Sequence, residues 1–239
     1  MAKALTQNTK QIGLVNLFHK KNTISRVKGA TVIFASTVVG QLEVNCIVLA
    51  CEETREGIVI DPGDNVDAIL QMIKDNNVII KEIVATHGHF DHIGRVTSLK
   101  EQTGAPFTIH KADMFMVEGL VDIAAFLGLE TDPAPTVDRF IDEEDTITFG
   151  NETLDILHVP GHAPGNVAFT WPGHAIVGDA IFAGSIGRTD LEGSDPQVLM
   201  ESIRTKILTL PDETILHPGH GPDTTVDREK RTNPFLAVG

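Results

Sequence analysis

The sequence predicts an α+β sandwich, two mixed β-sheets packed face to face with helices outside. Three observations predict it. Short β-rich runs come in two blocks, one in each half of the chain. Stretches with helical spacing lie between and after those blocks, where they can cover the outer faces of two sheets. Hydrophobic residues make up 41% of the 239 residues, enough for a substantial core.

In the first block, "ATVIFAS", "NCIVLA" and "GIVIDPG" are β-rich runs separated by turn residues. "NVDAILQMIKDNN" places Val66, Ile69, Leu70 and Ile73 at helical spacing. "IIKEIVATH" is a buried strand. "GRVTSLKEQTG" is a helix stopped by Gly104, "PFTIH" is a strand, and "KADMFMVEGLVDIAAFLG" is one or two helices. Pro133 and Pro135 mark a loop between the halves and no domain boundary. The second block holds "DTITFG", "ETLDILHVPGH", "NVAFTW" and "HAIVGD". One long helix, "DPQVLMESIRTKILTL", and a last strand, "TILHPGHG", follow.

Charge and composition exclude several functions. The net charge of −14 argues against nucleic acid or an anionic membrane as partner. Six cations (Lys3, Lys10, Lys20, Lys21, Arg26, Lys28) and no acid fall in the first 42 residues. Residues 1–28 are therefore expected to be a basic N-terminal extension, and 29–239 a single domain. No apolar run reaches the length of a membrane span, and no compact apolar block of a secretory signal opens the chain. Cys46 and Cys51 have an odd separation that sends them to opposite faces of a strand, so no disulfide joins them. Two thiols without a framework fit a reducing, cytoplasmic compartment.

The stretch "ATHGHFDHIGRV" crowds His87, His89, Asp91 and His92 together. Strand alternation sends His87 and His89 to one side, and Asp91 and His92 point back from the start of the next helix. Imidazoles with a carboxylate are ligands for zinc, iron or manganese. Three more candidates each follow a strand: His162 in "HVPGHAPG", Asp179 in "AIVGDAIF" and His220 in "ILHPGHGP". A structural zinc uses four ligands. Two ions, each with three ligands of its own and one shared carboxylate, use all seven. Such a pair activates water near neutral pH and polarises a carbonyl, and Asp91 is expected to orient that water. No G-x-S-x-G elbow offers a competing nucleophile.

The remaining polar residues have plain readings. His110, His158 and His217 are expected to be packed or hydrogen-bonded, and His19 and His174 to be on the surface. Arg188 and Asp190 are expected to form an ion pair within their loop. Asn166 is given no role. Arg228, Lys230 and Arg231 are expected on a solvated helix face.

"THGHFDHIG", "PGHAPG", "GDAIFAGSIGRTD" and "PGHG" together resemble the metallo-β-lactamase superfamily. Within it the chain resembles the glyoxalase II (hydroxyacylglutathione hydrolase) branch, in its short form without the C-terminal helical domain. The likeness runs from about residue 30 to the tail "EKRTNPFL". It implies an αβ/βα four-layer sandwich. It implies that His87, His89 and His162 hold one metal, that Asp91, His92 and His220 hold the other, and that Asp179 bridges them. Asp61 in "DPGD" matches an acid that supports the ligands. Two divalent ions are implied, zinc first, with iron or manganese as the other candidates.

The implied reaction is hydrolysis of a small-molecule thioester such as S-lactoylglutathione, whose thiolate leaves without a strong general acid. The chain ends 19 residues after His220 and contains no tyrosine, whereas the longer enzymes use an extra domain and tyrosines against the thiol cofactor. The alternatives are a persulfide dioxygenase with one iron, a lactonase, and a non-catalytic metal-binding module. The dioxygenases usually carry Ala-His-Asp where this chain has "HPGHG". An intact set of seven ligands argues against the non-catalytic module.

Overall fold

The computed structural model describes residues 32–236. The basic stretch 1–28 and His19 lie outside the described residues. β1 (Val32–Val39) and β2 (Val44–Cys51) form an antiparallel hairpin, and β3 (Glu56–Ile60) pairs with β2. α1 (Val66–Asp75) crosses to β4 (Ile79–Val84), which lies parallel to β3. α2 (Phe90–Ile93) and α3 (Val96–Thr103) lead to β5 (Phe107–His110); α4 (Met114–Glu118) and α5 (Leu120–Phe126) lead to β6 (Arg139–Ile141). These six strands make one mixed sheet in the order β1-β2-β3-β4-β5-β6.

The second half repeats the plan. β7 (Thr146–Phe149), β8 (Glu152–His158), β9 (Val167–Trp171) and β10 (His174–Gly178) form an antiparallel run. A small hairpin of β11 (Ile181–Phe182) and β12 (Ser185–Ile186) follows, then α6 (Pro196–Ser202), β13 (Ile215–Pro218), β14 (Thr224–Thr225) and α7 (Val226–Thr232). The second sheet runs β14-β13-β10-β9-β8-β7, with β13 parallel to β10.

Strand alternation feeds separate cores. In β1, Ile33 and Ala35 join Ile69, Met72 and Leu99 under the helices, while Val32 and Phe34 join Phe149, Phe169 and Ile176 between the sheets. On the far side, Val177 and Leu216 pack with Leu199, Ile203 and Val226. The result is four layers: helices, sheet, sheet, helices. Cys46 and Cys51 fall in different cores and are both free thiols.

Several elements differ from the sequence expectation. β11, β12 and β14 were not among the expected strands. β4, expected to be buried, is exposed at Ile79 and Lys81 and buried only at Ile83 and Val84, because its first half lies at the rim of the sheet. The long helix from Pro196 is α-helical only to Ser202 and continues as a π turn over Ile203–Ile207. That wider turn places Ile203 and Ile207 both in the outer core. β6 was not expected, because two of its three residues are exposed and carry no alternation. No helix among the described residues is long and apolar enough to cross a membrane.

Candidate metal centre

The strand ends of both sheets meet on one rim. His87 follows β4, His89 caps the start of α2, and Asp91 and His92 lie on α2. His162 lies in the loop after β8, Asp179 directly after β10, and His220 just after β13. The structure brings all seven together, in three overlapping groups of which His87, His92 and Asp179 make one. The donor atoms of His87, His89 and His162 lie within 4.8 Å of one another, as do those of Asp91, His92 and His220. Asp179 joins the triads: Oδ1 is 3.5 Å from His92 Nε2, and Oδ2 is 3.6 Å from His162 Nε2 and 3.4 Å from His220 Nε2.

The outer nitrogens of four of the five histidines are tethered. His162 Nδ1 donates to Arg188 O and His220 Nδ1 to Leu42 O, both at 2.9 Å. His92 Nδ1 donates to Asp61 Oδ2 at 2.9 Å. Thr86 gives its hydroxyl hydrogen to that same oxygen of Asp61, so its Oγ1 accepts from His87 Nδ1 at 3.0 Å. Asp61 also accepts from the Thr86 amide, and its backbone sits at φ +54°. These tethers fix the ring orientations and turn the Nε2 atoms of His87, His92, His162 and His220 inward. His89 turns Nδ1 inward instead, 2.9 Å from His162 Nε2.

Three inward atoms are buried without a hydrogen-bond partner: His87 Nε2, His92 Nε2 and Asp179 Oδ1. Orphaned buried polar atoms are rare, and lone pairs converging from imidazole and carboxylate fit metal cations. Close packing keeps the donors there. A Cβ on Gly219 would fall 2.2 Å from Asp179 Oδ1 and 2.7 Å from His92 Cε1.

The electrostatics divide the site. Burial, helped by the neighbouring imidazoles, holds His87 well below its ordinary value and His89 at about 4, so both are neutral. Burial also pulls on His92 and His220, but Asp179 and the other nearby carboxylates outweigh it, raising His92 and lifting His220 to about 9. Burial opposes ionisation of Asp179 and Asp91, yet His92 and His220 hold both below the usual carboxylate range. Beside Asp91 opens a cleft of about 350 Å³ between the β1–β2 turn and residues 128–131. Arg95 in its wall is paired with Asp64 and Asp132.

Sequence reasoning missed Asp113. Fully buried, it accepts from Gly88 N at 2.8 Å and Gly165 N at 2.6 Å, tying the His87–His89 loop to the His162 loop. Burial raises its carboxyl to about 6, against the pull of those two N–H groups. Its only signal was a lone acid in "KADMF". Thr86 was also missed, although it stands inside the motif.

Other expectations resolve individually. His174 is buried, not on the surface: it opens β10 opposite Trp171, stacks on that ring at 4.9 Å, and its Nδ1 lies 3.1 Å from His217 Nε2. Asn166 is fully buried and its Oδ1 has no partner. Arg188 and Asp190 pair through two contacts of 2.7 and 2.8 Å. His110, His158 and Asp142 form a further cluster, but the two rings stack at 13°, so their lone pairs run side by side and do not converge on one ion.

A family model described as the metallo-beta-lactamase superfamily matches residues 39–220. The hydroxyacylglutathione hydrolase GloC of Haemophilus influenzae is 37% identical over 196 residues, covering 80% of this chain and 92% of that protein. Among solved structures, the BLEG-1 B3 metallo-beta-lactamase superposes with a TM-score of 0.79 at 34% identity, over 85% of this chain and 99% of that one. TTHA1623, solved in a di-iron-bound form, superposes with a TM-score of 0.78 at 39% identity, over 84% and 99%. With the four-layer sandwich and the histidine and aspartate clusters at its rim, these likenesses show that the chain belongs to the metallo-β-lactamase superfamily.

Proposed function

We propose that the chain is a binuclear metal-dependent hydrolase that cleaves a small-molecule thioester such as S-lactoylglutathione. One observation carries the reading: the seven side chains fall into two triads, with the Asp179 carboxylate within reach of both. His87, His89 and His162 would hold one ion, Asp91, His92 and His220 the other, and Asp179 would touch both. Zinc is the first candidate, and the di-iron-bound neighbour keeps iron beside it. Two such ions supply a water acidic enough to ionise near neutrality and a Lewis acid for the acyl carbonyl.

The chain's own residues do the rest. Asp91 stands at the cleft, and its ionised carboxylate accepts a hydrogen from the attacking water and aims its lone pair at the acyl carbon. Asp61 and the two carbonyl tethers keep the imidazoles from turning away. A thiolate leaves without a protein acid, which suits a site whose carboxylates are held ionised. The similarity to GloC supports a thioester over other acyl compounds. The negative charge of the chain supports a small-molecule substrate over nucleic acid or membrane, and its two free thiols support a cytoplasmic setting.

A panel of thioesters, lactones and glutathione persulfide, run on protein of measured metal content, tests the reading. Two ions per chain with thioester turnover is the expected result. Lactone hydrolysis without thioester turnover, or one iron with oxygen consumption on the persulfide, overturns it.

A further inference from the structure

The outer face of α7 matches expectation, with Lys230 paired to Asp212 and Arg231 to Asp227. Its inner face does not. Glu229 and Asn233 are buried, and both grip the β11–β12 hairpin. The Glu229 carboxylate accepts from Gly184 N at 2.9 Å, from Asn233 Nδ2 at 2.8 Å and from the Thr224 hydroxyl. Asn233 Nδ2 also donates to Ser185 O at 3.0 Å.

That hairpin belongs to neither large sheet. A two-stranded ribbon alone is marginally stable, so its place is set by what it packs against: Ile181 seats its base in the outer core, and its tip is held separately. Its tip is the turn at Gly184, where α7 holds it. Its base adjoins the candidate metal centre. The chain leaves Asp179, passes through the hairpin and returns at Gly187, whose amide donates to Ala180 O at 3.2 Å. The next carbonyl, Arg188 O, is the tether of His162. Phe182 sets its ring 6.2 Å from the His220 ring. The hairpin is therefore continuous in the chain with Asp179 at one end and with the His162 tether at the other, and its Phe182 faces an imidazole of the second triad.

Anchoring α7 does not require this arrangement. Val226 already seats the helix in the outer core with Leu199 and Ile203. A buried carboxylate is a costly anchor beside such a residue. We propose that Glu229 and Asn233 are positioning residues for the metal centre, acting through the β11–β12 hairpin. The proposal rests on the binuclear reading above.

Metal-free wild type, Asn233→Ala, Glu229→Gln and Val226→Ala are titrated with zinc against a chromophoric chelator, at a temperature where circular dichroism shows each folded. Wild type takes up two ions. Asn233→Ala binds zinc roughly tenfold or more weakly, as expected when a ligand's support is lost. Glu229→Gln keeps the volume and one acceptor and shows a smaller loss, and it carries the test if Asn233→Ala does not fold. Val226→Ala lowers the melting temperature but binds zinc as wild type does. Wild-type affinity in Asn233→Ala, or in Glu229→Gln where that variant carries the test, overturns the proposal, as does an equal loss in Val226→Ala. Fewer than two ions on wild type overturns the binuclear reading by itself.

Discussion

Asp91 separates holding a metal from performing the reaction. Its carboxylate lies 3.4 Å from His220 Nε2 and also borders the cleft. Asparagine keeps the shape and one oxygen but removes the charge that takes the hydrogen of the attacking water. Asp91→Asn should fold normally, weaken one ion, and lower thioester turnover by about 10² or more, chiefly in kcat. Wild-type turnover with both ions bound would remove Asp91 from the mechanism. Asp113 makes a different prediction, because its contribution depends on pH. Its carboxyl ionises near 3.8 when unfolded and at about 6 in the fold. Between those values the folded chain holds the extra proton, so stability falls as pH rises through the window and the penalty is complete above it. Asp113→Asn has no such charge. In urea unfolding of the metal-free proteins at pH 4.5 and 7, wild type should lose stability relative to the variant at the higher pH. A constant difference between the two would show that burial does not shift this carboxyl.

At the scale of elements, the centre is built from strand ends, and that is why much of it was legible in the sequence. An apolar run ending in a histidine or an acid is visible without coordinates: "IIKEIVATH", "HAIVGD" and "TILHPGH" each announce both the strand and the ligand. The supports are less legible because they are single residues in unrelated elements. Asp113 follows β5 and reaches Gly165 across the sandwich, and Glu229 sits in a stretch that reads as all surface charge. His174 was misplaced because its burial comes from its partner in β9, which periodicity does not show. Asp61 was found only through the resemblance. It directly follows β3 beside the end of β4, so one carboxylate serves Thr86 and His92 together. Asp61→Asn tolerates the positive φ but offers one acceptor where two are used. Metal affinity should fall roughly ten- to a hundredfold, with both triads affected, since His87 depends on Asp61 through Thr86. A competition titration giving wild-type affinity would show that the link is incidental.

At the scale of the molecule, the two sheets meet the site from opposite sides. His87, His89, Asp91 and His92 follow a strand of the first sheet, while His162, Asp179 and His220 follow strands of the second. Bound ions would therefore fasten one sheet to the other at the rim, in addition to the apolar core between them. A ligand present at a thousand times its dissociation constant stabilises by about 4 kcal/mol per site. In a domain of this size, each kcal/mol moves the melting temperature by roughly 2–4 °C. Chelation should thus lower the melting temperature by roughly 10 °C or more. The metal-free chain should nonetheless stay folded at room temperature. The inter-sheet core is unchanged, and protons held on His92 and His220 face Asp91 and Asp179 where the ions had been. Hydrogen exchange can locate the loss. Amides of residues 85–92, 160–166 and 179–188 should lose protection on chelation, while those of β2 and β9 keep theirs. An unchanged melting temperature after elemental analysis has shown the ions gone would mean that they do not fasten the sheets. Loss of protection throughout β2 and β9 would mean instead that the core depends on the ions, and that the rim is not a separate unit.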